Sequence, residues 1–194
     1  PLSVQAQEAE ITNTIKAEIV RGRALEQGRK FPLVMRLSDV QTNAPVTLND
    51  LEVVHTEPIH MLIIDPSLSD YHHLHPVSSG RPGEYVFMMT PQTSCPYGAW
   101  VDLDPVDGEQ EFALMGIEGS ESCEDAVVEE TLNTEHEGSL YDFRMITDTE
   151  SLTAGQDTML TIEVRDKSGY KVDDLQPTMG TFGHLVGFYD DYRT

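Results

Sequence analysis

Residues 55–76 read HTEPIHMLIIDPSLSDYHHLHP, and they hold five of the seven histidines of a 194-residue chain. Met61–Ile64 is a short apolar run and Tyr71–His75 a second run of strand length. The stretch between them, Asp65-Pro-Ser-Leu-Ser-Asp70, is turn chemistry. The stretch therefore predicts a β-hairpin. With Asp65 facing Asp70, Met61 lies opposite Leu74, Leu62 opposite His73 and His60 opposite His75. Side chains alternate along a strand, so His60, His73 and His75 share one face and His72 takes the other. Opposed Cβ atoms stand about 4.5–5.5 Å apart, near enough for imidazoles to converge on one ion.

Working outward, Ile15–Val20, Phe31–Leu37, Leu51–His55, Tyr85–Met89, Ala99–Leu103 and Glu111–Met115 are further β-type runs, with Gly, Pro, Asn and Asp between them. Some eight short strands at this spacing predict an all-β fold, an antiparallel Ig-like β-sandwich over residues 15–119. Residues 1–14 are expected to be a flexible N-terminal arm, and the acidic stretch 120–138 a linker or covering loop. Trp100 is expected in the sandwich core, and Asp102–Glu109 reads as a hairpin turn rather than a calcium loop. His136, alone in the acidic stretch, is expected to be solvated.

The chain also repeats itself. Gly28–Asp39 aligns with Gly155–Asp166, Asn49–Leu51 with Asp173–Leu175, and His60 with His184. Residues 139–194 are thus expected to be a second, truncated copy of the module, stopping where another histidine-rich strand would begin. Its partial counterpart of the first site is His184 with Met179, which aligns with His55. A remnant of three or four strands has an open edge, which predicts packing on the first domain or pairing in a homodimer.

Composition narrows the partners. The formal net charge is −22, from 34 acidic and 12 basic residues, which argues against nucleic acid and favours a cation. No apolar run has the length that spans a bilayer. The first residue is Pro1 rather than Met, so processing, and with it export, is expected. Cys95 and Cys123 fit one disulfide in an oxidising compartment or two buried thiols, and neither sits in a CxxC spacing. No nucleophile motif, P-loop or dinucleotide fingerprint is present, so the chain is not expected to be an enzyme.

Three neutral imidazoles suit Cu(II) or Zn(II), and His55, five residues before His60, is a further candidate ligand. The alternative is that the histidines only order the hairpin of a structural or adhesive Ig-like module. The run Val54–Pro76 resembles the PMHLIVVS-type and HLHP strands of exported bacterial Ig-like domains related to YtkA-like domains. Pro96–Asp102 and Leu175–Val186 are similar to the same family. That resemblance implies a periplasmic or secreted β-sandwich that binds copper, with zinc as the alternative. It carries over His60, His73 and His75 as ligands. The implied role is that of a chaperone, buffer or sensor working beside a copper-handling protein.

Overall fold

The computed structural model describes residues 13–123, 128, 134–153, 155–177 and 180–188. Their regular structure is antiparallel β-strands and one 3-10 turn at Leu48–Asp50. Two compact units are present, Pro1–Val128 with Gly187–Thr194, and Glu129–Val186.

The first unit holds β1 (Ile15–Arg21), β2 (Phe31–Asp39), β3 (His60–Ile64), β4 (Tyr71–Leu74), β5 (Val77–Ser78), β6 (Glu84–Met89), β7 (Tyr97–Leu103) and β8 (Glu111–Ile117). They form two four-stranded sheets, ordered β1-β2-β6-β5 and β4-β3-β7-β8. Alternation decides which side chains meet. In β8 residues 111, 113, 115 and 117 are buried, while those between them are exposed. Leu33, Met35 and Phe87 from the first sheet and Met61, Val101 and Ile117 from the second belong to one hydrophobic core, so the unit is a sandwich.

Four buried acids are held by named partners rather than left as bare charge. Glu111 accepts from the Thr14 N–H at 2.6 Å and its hydroxyl at 3.0 Å, tying the start of β1 to β8. Glu84, on β6, pairs with Arg36 on the neighbouring β2 and with Arg21 on β1 beyond it, tying three successive strands of the sheet. Asp65 and Asp70 are described with the site below. Cys95 and Cys123 are joined in a disulfide, which leaves the chain without a free thiol.

The second unit is a three-stranded sheet, ordered β11-β10-β9, from β9 (Glu135–Glu137), β10 (Tyr141–Thr147) and β11 (Leu160–Asp166). Strand β9 falls inside the stretch expected to be linker. It is an acidic edge strand exposed along its length, so it pairs with β10 through its backbone and needs no apolar pattern. His136, on β9, stands beside the Phe143 ring rather than in an unstructured linker. The hydrogen bonds after β11 match those after β2. Asp39 N–H donates to Ala44 O and Val46 N–H to Leu37 O; Asp166 N–H donates to Tyr170 O and Val172 N–H to Val164 O. Asp39 and Asp166 each close their turn by accepting backbone N–H groups.

Candidate metal centre

The hairpin has the register that its turn residues predict: Met61 opposite Leu74, Leu62 opposite His73, Ile63 opposite His72 and Ile64 opposite Tyr71. Two buried carboxylates fix it. Asp65 Oδ1 accepts the N–H groups of Ser69 and Asp70, both at 2.9 Å, and Oδ2 takes the Ser67 hydroxyl at 2.6 Å. Asp70 Oδ2 accepts the Tyr97 hydroxyl at 2.5 Å, the Gln92 N–H at 2.8 Å and His72 Nε2 at 3.1 Å. His72 thus serves the turn from the opposite face to its three neighbours.

His60, His73 and His75 come together. His60 Nδ1 lies 3.3 Å from His73 Nε2 and 3.1 Å from His75 Nε2. One ring nitrogen from each falls within 4.8 Å of the others, and among the described residues this is the group that could hold a metal ion. Ligands at 2.0–2.1 Å from a tetrahedral ion are about 3.3 Å apart, so the two close separations have the size that coordination requires.

Protons point the same way. His60 is buried, with 7% exposure, and its Nε2 lies 2.9 Å from the carbonyl oxygen of Val54. A carbonyl only accepts, so Nε2 carries the proton, and in the neutral ring Nδ1 presents its lone pair to the cluster. That one lone pair faces two other ring nitrogens, and a cation between them would satisfy all three. Burial, and then the neighbouring His60, lowers the His75 pKa against a smaller upward pull from Glu57. A lowered imidazole pKa favours the neutral form that ligates.

The other expected residues are placed as follows. His55 lies outside the three-nitrogen group, with its ring centroid 6.2 Å from that of His60. It sits in a two-residue turn closed by Val54 N–H to Glu57 O at 3.2 Å and Glu57 N–H to Val54 O at 3.1 Å. His55 and Thr56 both adopt positive φ there, at 50° and 79°. His184 is exposed in the second unit and belongs to no such group among the described residues; Met179, its expected companion, lies outside them.

Two features of the face were not read from the sequence. Asp102, on β7, lies directly opposite His60 across the β3–β7 ladder and therefore on the same side of the sheet. No local turn links β3 to β7, so only the folded sheet brings them together. Burial raises the Asp102 pKa, a hydrogen bond from Gln110 lowers it, Asp104 raises it, and His60 and His55 lower it; the net direction is up. Trp100, expected in the core, is buried at 3% exposure but on the outer face, level with Leu62. The Phe188 ring, 5.1 Å from the indole centroid and 5.7 Å from that of Tyr71, lies against it there.

Fold and site together define an all-β, antiparallel protein with a three-histidine group able to hold a metal ion. The chain belongs to the family described as Domain of unknown function (DUF8832), which it matches over residues 9–120 and 136–194. No curated protein matches it.

Proposed function

We propose that this protein binds a metal ion at His60, His73 and His75, copper in the first place and zinc as the alternative. The role is that of an exported accessory protein, a chaperone, buffer or sensor, and not an enzyme. The observation that carries this reading is the approach of two imidazole nitrogens to His60 Nδ1, at 3.1 and 3.3 Å. The net charge of −22 supports a cation as partner, and the Cys95–Cys123 disulfide supports a periplasmic or secreted location. The resemblance to YtkA-like domains belongs to the same reading, as does a copper-handling protein that delivers or collects the ion.

We read the second unit as a partial copy of the first, supported by the matched hydrogen bonds after β2 and β11. Pairing with another chain would use its edge strands, β9 or β11.

Titration of the purified apo-protein with Cu(II), Cu(I) and Zn(II) tests the site. The expected result is one equivalent bound, with His73→Ala and His75→Ala each weakening the affinity by more than about 100-fold, beyond what loss of an outer partner costs. A wild-type chain that takes up no stoichiometric ion would leave the structural or adhesive module as the better account.

A further inference from the structure

Around the three histidines the sheet offers nitrogen and oxygen and withholds sulfur. Met61 follows His60 directly, yet alternation turns it to the inner face, where it is 0% exposed in the core. Both cysteines are consumed by the disulfide. Soft sulfur donors are what favour Cu(I), whereas imidazole with carboxylate suits divalent ions.

The position of Asp102 adds charge to that choice. His60 is flanked on one side by β4, which brings His73, with His75 just past the end of that strand, and on the other by β7, which brings Asp102 directly opposite. Directly opposed side chains on a sheet have Cβ atoms roughly 4.5–5.5 Å apart. Gln110 Nε2 donates to Asp102 Oδ1 at 2.8 Å, which orients the carboxylate. Three neutral imidazoles bring no charge to an ion, so the full charge of the metal is left to its surroundings. A fixed carboxylate beside the site attracts a dipositive ion twice as strongly as a monopositive one at the same distance.

We propose that Asp102 is the residue that makes the three-histidine centre selective for a divalent ion, Cu(II) or Zn(II), over Cu(I). The assignment rests on the reading that these histidines hold a metal. Asp102 acts through charge beside the ligand set, and Gln110 holds it in place.

The test compares Cu(II), Zn(II) and anaerobic Cu(I) affinities of the full chain, by competition with a chelator, for wild type, Asp102→Asn, Gln110→Ala and His73→Ala. Asp102→Asn keeps the size of the side chain and an oxygen for Gln110 while removing the charge. It is expected to weaken Cu(II) and Zn(II) by about 10- to 100-fold, the range for loss of an outer partner, and Cu(I) by only the square root of that factor, about 3- to 10-fold, because the attraction is half as large. Gln110→Ala, at an exposed position, is expected to move the Cu(II)-to-Cu(I) ratio in the same direction by a smaller factor. It carries the test if Asp102→Asn does not fold. An unchanged ratio in the folded variants, or an equal loss for both oxidation states, overturns the role of Asp102. If in that case His73→Ala still abolishes uptake, the metal site stands and only the selectivity falls. A wild-type chain that binds none of the three ions overturns both.

Discussion

Thr56 occupies a conformation that a β-branched residue rarely adopts, with φ at 79° beside His55 at 50°. A two-residue hairpin turn with positive φ at both centres ordinarily takes Asn-Gly or Gly-Gly. The Val54 carbonyl that closes this turn also accepts from His60 Nε2, so the strained pair lies in the element that orients the most buried histidine of the site. Such strain costs of order 1–3 kcal/mol per residue. Thr56→Gly is expected to raise the unfolding free energy by about 1 kcal/mol, once glycine's own entropy cost is subtracted, as measured by urea denaturation. A loss of stability would mean that the threonine side chain makes a contact worth more than the strain. At this scale the sequence spoke clearly about His60, His73 and His75, because two aspartates bracket a short turn and alternation does the rest. It was silent about Asp102, whose partner is set by a ladder between strands far apart in the chain.

The hairpin of β3 and β4 depends on the ionised Asp70 carboxylate. Burial alone would raise the Asp70 pKa, but hydrogen bonds from Gln92, Tyr97 and His72 outweigh it, and the net shift is downward. A folded pKa below the unfolded one gives stability that is present above the unfolded value of about 3.9 and is lost as pH falls through the folded value. Tyr97 runs the other way. Burial, and then its hydrogen bond to Asp70, pushes its pKa up to about 12, so its contribution is present below pH ~10 and is lost as pH rises through about 12. Asp70→Asn is expected to cost about 1–3 kcal/mol at neutral pH and to flatten the acid limb of a stability-versus-pH curve. A variant whose acid limb matched that of wild type would remove Asp70 as the cause. The sequence announced most strands of the first unit through alternating apolar residues between turn residues. It missed β5, which is only Val77–Ser78, and β9, which has no apolar face to announce it. Trp100 lay on the wrong side in the sequence reading for a related reason. Period-two alternation gives the faces of β7, but the aromatic cover on the outer one comes from Phe188, far along the chain.

In the first unit the disulfide encloses the β7–β8 hairpin, joining residues 28 apart in sequence. Loop-closure entropy for a loop of that size is worth about 3.5 kcal/mol. Reduction, or a Cys95→Ser and Cys123→Ser double variant, is expected to lower the unfolding free energy by about that amount while leaving the histidine geometry in place; calorimetry checks the first and metal titration the second. The chain must pass very close to itself here, since a Cβ added at Gly119 would stand 2.2 Å from the backbone carbon of Cys95. The two cysteines alone left open a bond or two buried thiols, because pairing depends on where β8 returns, and that is a property of the whole sandwich.

Trp100 is the only tryptophan in the chain, and it sits two residues from Asp102 on the same face of the sheet, under Phe188. The protein therefore carries its own fluorophore beside the histidines. Lifting Phe188 would let water reach the indole and redden its emission, while a paramagnetic ion at the three imidazoles would dim it. Colour and brightness separate a change in the cover from a change in the occupant.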